Sequence, residues 1–490
     1  MRMSEEMAAA SGLLPDDALT VRSLVEEWRS HYQRNRLRDR YYLSHVRVKD
    51  LGVAVAPQIS RKLDPRVDWA AKCVDWWADR VQYEGVTCED EVLQRGLAAA
   101  LERNDGRNLV HRVASSALRH SCAFLAVTQG DPSCGEPSTV VSGYPATAAS
   151  AIWDEAAKRI RSGLVIVATE RAPGRRERRP TLAFALTDTD VIVLSRRAAG
   201  WEAEYRPHSM GRVPMVHVAY HPTLENPFGR SRITRTVMGL VDDAQREMLN
   251  MSAAASFAAA PQKYITNISK EAAEKIASSP FQAYIGAILT ATAGKGGQSP
   301  QVGQLAQLTM QPHADYMRSL AAQFSGATGV PLSSLGVVSD NPSSAEAIYA
   351  AKEDAVVDIQ AYIDGLKRAL RDVCYMVMAC EEGRSSFWDM MSAAPGVTVN
   401  FANPAMPSIV SQSDAMVKQI SAIPWLADSD VALRELGYTD EQISQLRSDR
   451  RKSRALLGAG TILGGGGGGG GDDIGGGAAP LQAGPAPGAV

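Results

Sequence analysis

The sequence predicts an α+β fold dominated by helices, and three observations carry that expectation. Aromatic residues are only 6% of the 490 positions while alanine is abundant, a balance that favours packed helices over a β-sandwich. Residues 312–373 place apolar side chains at three- and four-residue steps, the period of one helix face. Alternating apolar runs bounded by Gly, Pro or Asp are concentrated in residues 139–221, which read as the strand-rich part.

Length and composition bound what the chain can do. At about 100 to 200 residues per domain, it holds two to four domains. A formal net charge of -2 argues against a protein that holds nucleic acid by neutralising phosphates, though not against one that DNA merely passes. The six cysteines form no CxxC pair, so buried free thiols in a reducing compartment are expected, and no metal site is. The N-terminus lacks a basic segment followed by an apolar core, and no run of about 18 apolar residues occurs, so neither signal-peptide secretion nor membrane spanning is expected.

Residues 16–40 read as a helix whose second half, WRSHYQRNRLRDRYY, is basic with interleaved aromatics, the pattern of a solvated face. Asp64 followed by Pro65 reads as the start of a helix with Val67, Ala71, Val74, Ala78 and Val81 on one stripe, Trp69, Trp76 and Trp77 adding bulk, and Gly85 as its end. Residues 89–104 and 108–120 continue as helices. SCAFLAVTQG opens the strand-rich part, followed by STVVSG, GLVIVATE, PTLAFALTD, DVIVLSR, WEAEYRP and PMVHVAYHP. Within it, an Ala-rich helix is expected over 148–160, and RRERR at 175–179 reads as a solvated hairpin tip.

Residues 231–257 read as a helix with Ile233, Val237, Leu240, Ala244, Met248 and Met251 on one stripe, Asp242, Asp243, Arg246 and Glu247 leaving that stripe partly charged, and Pro261 closing it. A small insert follows, with a strand QKYITNI, a helix SKEAAEKIASS and a loop TAGKGGQSPQVGQ. The helix QPHADYMRSLAAQFSGATG then breaks at GVPLSSLGVVSDNP, where Gly329, Pro331, Gly336 and Pro342 each interrupt a helix. The next helix restarts at Ser343, which forms a capping box with Glu346, and carries Ile348, Val356, Ile359, Ile363, Leu366, Leu370 and Val373 on one stripe. VTVNFANP reads as an edge strand. Residues 408–420, 429–436 and 439–454 read as a helical end piece, and the Gly-rich tail is expected to be disordered.

The search for catalytic chemistry returns negatives. Lys295 fails as a phosphate-loop lysine because Leu289 stands where a glycine is required and Gly296 where Ser or Thr is. His217 and His221 have metal-ligand spacing for a helix but lie in a strand-like run, where four residues span about 13 Å. Glu381 and Glu382 are adjacent and point to different sides of a helix. No cofactor, metal or enzymatic activity is expected.

Three strings, DWAAKCVDWWADRVQYEG, GRVPMVHVAYHPTLENPFGRSRITRTVMGLVDDAQREMLNM with APQKYI after it, and ATGVPLSSLGVVSDNPSSAEAI, resemble bacteriophage portal proteins of tailed phages of actinobacteria. The resemblance covers about residues 24–457. It implies a portal fold with wing, stem, clip and crown regions, assembled into a homo-dodecameric ring at one capsid vertex of the virion, with assembly in the host cytoplasm. After a flexible N-terminus (1–20), the wing takes 21–228 and 343–403, the stem helices 229–261 and 309–330, the clip 262–308, the tunnel loop 331–342 and the crown 404–457, ahead of a tail at 458–490. The stem candidates for lining the channel are Asp242, Asp243, Arg246, Glu247, Asp315 and Arg318, and the clip candidates are Lys270, Glu271, Lys275 and Lys295. The tunnel loop is Leu335, Gly336, Val337, Val338, Ser339, Asp340 and Asn341. Implied partners are the terminase large subunit, a head-tail connector or adaptor, the major capsid and scaffolding proteins, and double-stranded DNA passing without sequence-specific binding. Another ring-forming virion scaffold or head-tail connector is the second reading, and a hydrolase with unrecognised residues the third.

Overall fold

The computed structural model describes residues 2–49, 63–171, 178–259, 263–267, 269–271, 274, 301–304, 309–337, 353–383, 385–405, 409–436, 438 and 442–452. The chain divides into two units, Met1–Ala405 and Met406–Val490.

The first unit opens with α1 (Arg2–Ala8) and α2 (Pro15–Tyr42), the latter starting on a proline with Asp16 and Asp17 in its first turn, where the helix dipole favours acids. Then come α3 (Trp69–Ala78), β1 (Tyr83–Thr87), α4 (Glu91–Arg103) and α5 (Gly106–His120). The Asp90 side chain accepts from the Val92 and Leu93 amides and caps α4. The strands β2 (Cys122–Gln129), β3 (Thr139–Pro145), β4 (Ala149–Asp154), β5 (Arg159–Arg171), β6 (Arg178–Leu186), β7 (Asp190–Arg197), β8 (Gly200–Pro207) and β9 (Met215–Ala219) follow. Next are α6 (Arg235–Ala259), the antiparallel pair β10 (Lys263–Thr266) and β11 (Gln301–Gln304), and α7 (Gln311–Thr328). The unit ends with α8 (Glu353–Glu382), α9 (Phe387–Ala393) and β12 (Thr398–Phe401), which pairs antiparallel with β1.

Two antiparallel sheets, ordered β3-β2-β9 and β4-β5-β6-β7-β8, stack on each other. β2 reads CAFLAV without alternation because both its faces are covered. Ala123, Leu125 and Val127 join the main core with α3, α5 and α8, while Cys122, Phe124 and Ala126 pack against Val165, Leu186 and Met215 between the sheets. The other face of the larger sheet, Leu164, Ile166, Ile192 and Leu194, buries Val21, Leu24, Val25 and Trp28 of α2. On α8 the expected residues Ile359, Ile363, Leu366, Leu370 and Val373 are buried while Val356 is half-buried, and burial becomes continuous from Val373 to Ala379. Ser343, Glu346 and Ile348, expected to start that helix, lie outside the described residues.

The second unit contains α10 (Ile409–Ala422), α11 (Asp430–Glu435) and helical residues 442–452. Met416, Ala432 and Ile443 are buried there, and Arg447 pairs with Asp430 at 2.6 Å. The tail at 458–490 lies outside the described residues.

Four local expectations are corrected. Residues 148–160 form β4 and the start of β5 rather than an Ala-rich helix, because pairing within the five-stranded sheet outweighs helix propensity. The helix expected from Asp64 starts only at Trp69, since Arg66 and Asp68 are held by the Ser44 carbonyl and hydroxyl in a non-helical segment. Its buried stripe is accordingly Trp69, Ala70, Cys73, Val74, Trp77 and Ala78, without Ala71. Gly85 lies inside β1 at φ +142, beside an irregularity in its pairing with β12. The helix expected from Ser231 starts at Arg235, because Ser231 donates to the Arg119 carbonyl at 2.5 Å and Arg232 is drawn into the core.

All six cysteines are described and unbridged. Burial pushes the Cys73, Cys122 and Cys374 thiols up to about 12, which keeps them inert. Among the described residues no helix is long and apolar enough to cross a membrane, and no group of side chains is placed to hold a metal ion.

Candidate functional site

α6 and α7 form an antiparallel pair with the β10–β11 strands beyond their far ends. Two contacts fix the register: Arg232, just ahead of α6, meets Thr328 at the end of α7, and Glu247 of α6 meets His313 at the start of α7. The two contacts are fifteen residues apart on either segment, roughly 22 Å of helix.

The near end is anchored by Arg232. Arg232 is 8% exposed, and its guanidinium donates to the Cys73 carbonyl at 2.8 Å, to the Tyr220 hydroxyl at 2.6 Å and to the Thr328 carbonyl. It also lies 3.5 Å over the Trp77 ring. Burial lowers its pKa, while Tyr220 and Cys73 work against that shift. One side chain thus joins α3, the segment after β9, the entrance to α6 and the exit from α7. Because it satisfies a terminal carbonyl of α7, it also complements the negative end of that helix. The sequence reading passed over Arg232; the only signal was an arginine set between Ser231 and Ile233 just before a helical run.

The charged residues expected on the first stem helix separate by depth. Asp242 is buried and accepts from the Tyr41 hydroxyl at 3.0 Å and from Lys49. Glu247 is also buried and lies 2.5 Å from His313 Nδ1. Both are therefore internal ties of the subunit rather than solvent-facing groups. Asp243 and Arg246 are half-buried and pair with each other at 3.1 Å, and Arg246 also donates to the Lys49 carbonyl. On α7, Asp315 is exposed, accepts from Gln311 at 2.9 Å, and approaches the exposed Arg318 at 4.0 Å.

Of the residues expected in a clip, Lys270 and Glu271 are helical and exposed, whereas Lys275 and Lys295 lie outside the described residues. After α7, Gly329 takes φ +69 and its amide bonds to Ser325 O at 2.8 Å, ending the helix. Val330 is buried, and a short 3-10 turn, Leu332–Leu335, closes on Gly336 at φ +80. Leu335 and Val337 pack against the main core. The remaining loop residues, Val338, Ser339, Asp340 and Asn341, lie outside the described residues.

The two histidines with metal-ligand spacing do not converge: His217 packs between Trp153 and Phe228, while His221, beyond the end of β9, faces Asp358 at 3.8 Å.

No protein-family model matches the chain. It is 23% identical over 455 residues to the portal protein of Mycobacterium phage D29, covering 89% of this chain and 88% of that protein. The chain is similar to phage portal proteins. The portal protein of Mycobacterium phage L5 is 24% identical over 425 residues, covering 83% of both chains. Among solved structures, a chain of a native gene transfer agent virion aligns at a TM-score of 0.43 with 13% identity, covering 75% of this chain and 89% of that one. A chain from the neck of an empty gene transfer agent particle aligns at 0.44 with 14% identity, over the same shares.

Proposed function

We propose that this chain is a portal subunit, assembling head to tail into a dodecameric ring at one capsid vertex, with a channel that double-stranded DNA enters during packaging and leaves during ejection. The observation that carries the reading is the similarity to two mycobacteriophage portal proteins along nearly the full length of both. The α6–α7 pair, rooted at Arg232 and leading to the β10–β11 strands, suits a stem that ends in a clip. A closed ring needs two unlike faces on each subunit.

The channel face falls to the half-buried Asp243 and Arg246 and the exposed Asp315 and Arg318, two of each sign, a mixture that lets a polyanion slide rather than stick. Because Leu335 and Val337 are docked on the core, the part of the tunnel loop assigned to the constriction begins at Val338. The clip is the docking point for the terminase large subunit during packaging and for the connector afterwards, with capsid and scaffolding proteins around the wing. The chain is a structural conduit, not an enzyme. Its length and stacked sheets count against a small connector.

Head assembly with and without this chain tests the proposal. Omitting it is expected to leave capsid shells that contain no DNA, and restoring it to give filled heads. Equal numbers of filled heads in both cases would refute the portal role.

A further inference from the structure

The outer face of α2 carries charge that a sliding conduit does not use. Arg29, Arg36 and Arg40 are exposed at steps of seven and four residues, which sets them along one line about 16 Å long. The inner face of the helix is locked: Trp28 Nε1 donates to Thr147 O at 2.9 Å, Ser150 Oγ to Leu24 O at 2.8 Å and Arg38 to His120 O at 2.7 Å. The three arginines are therefore held as a fixed outward row.

That row is offset in part by the Coulomb attraction between Arg36 and Asp39, without a direct ion pair. Asp39, the one acid between Trp28 and Tyr42, turns inward to His120 at 2.8 Å and Arg119 at 3.3 Å. Among the described residues, no carboxylate makes an ion pair with Arg29, Arg36 or Arg40. Arg34 and Arg47 are also exposed. On a chain of net charge -2, residues 28–42 hold five arginines and one aspartate.

We infer that the Arg29–Arg36–Arg40 row of α2 is a docking surface for the phosphate backbone of double-stranded DNA, separate from the stem. Every cation in the row is an arginine, whose planar fork pairs with phosphate oxygens in two-point contacts. A duplex carries one charge per about 1.7 Å of axis, so a row of this length meets an unbroken line of phosphates. The contact reads no bases and is indifferent to sequence. An acidic protein surface fits less well, because among the described residues only Leu37 and Leu43 are large apolar side chains exposed close to the row and an interface core needs more. This surface goes beyond the portal reading and does not depend on ring assembly.

The test is anisotropy of a labelled, blunt duplex of arbitrary sequence titrated with the full-length protein. The variant Arg29→Gln/Arg36→Gln/Arg40→Gln is compared with Arg103→Gln/Arg197→Gln/Arg206→Gln, which removes the same charge from arginines already paired with Glu381, Glu202 and Glu204. Three phosphate contacts make up about 3 of the salt slope, or about 40-fold of the wild-type loss in affinity between about 50 and 200 mM salt, and the row variant is expected to lack that part. The comparison variant and Arg29→Lys/Arg36→Lys/Arg40→Lys are expected to keep the wild-type slope. If the triple Gln variant fails to fold, Arg36→Gln alone should lower the slope by about 1. An unchanged slope in the row variants, an equal fall in the comparison variant, or altered subunit assembly with duplex binding retained would overturn the inference, the last of these marking a protein interface instead.

Discussion

The guanidinium of Arg232 lies 3.5 Å over the ring of Trp77, and from that position it reaches carbonyls on two different helices, Cys73 and Thr328. The stack places the root of the α6–α7 pair on the main core. Replacing Arg232 with Met leaves two buried carbonyls and the Tyr220 hydroxyl without their donor, and is expected to cost about 3 to 5 kcal/mol. Arg232→Lys should recover only part of this, because an ammonium cannot stack and fork as the guanidinium does. Chemical denaturation of both variants checks the order; a stability within about 1 kcal/mol of wild type for Arg232→Met would contradict it.

Two neighbouring aspartates on α6 should behave differently. Asp242→Ala removes the acceptor of the Tyr41 hydroxyl and the partner of Lys49, and is expected to cost about 1 to 3 kcal/mol. Asp243→Ala, on the half-exposed side, should stay within about 0.5 kcal/mol. Thermal melts of the pair decide this, and equal losses would mean that depth on this helix is misplaced.

Stability should fall with acid in a window set in part by His217. Burial pulls its pKa down from 6.5 to about 4, with a hydrogen bond to Pro227 O opposing the shift. The folded state thus favours the neutral ring. The associated stability is fully present above pH 6.5 and is lost as pH falls towards 4, to a total of about 3 kcal/mol. His217→Gln should lose less stability than wild type between pH 7 and pH 4.5 when melting temperatures are compared. Parallel pH profiles would show that His217 does not titrate with unfolding.

Deleting Val338 to Asp340, which spares the core-packed Val337, separates a constriction from an ordinary surface turn. The expected outcome is normal assembly of the portal vertex but failed packaging or retention of DNA, counted as empty against filled heads by electron microscopy. Normal numbers of filled, infectious particles would remove the loop from the mechanism.

Element types were largely legible in the sequence because most segments carry one strong period. Ile359, Ile363, Leu366 and Leu370 announce α8, and the apolar runs of β5 to β8 announce a sheet. The failures came where a local signal competed with a distant partner. Ala149 to Asp154 has helix-forming alanines but pairs with β5, and Asp64-Pro65 imitates a helix start while Ser44 holds Arg66 and Asp68. Spacing placed Asp242 and Glu247 beside a charged face; their burial depends on Tyr41, Lys49 and His313, far away in the sequence. Arg232 was invisible for the same reason: its acceptors, Cys73, Tyr220 and Thr328, come from three separate segments.

The central claim is that copies of this chain close into a ring around a hole, and end-on electron-microscope images of the purified full-length protein test it most directly. The account predicts uniform rings with a central channel. Compact single particles without a hole, at concentrations where the protein is folded, would contradict it.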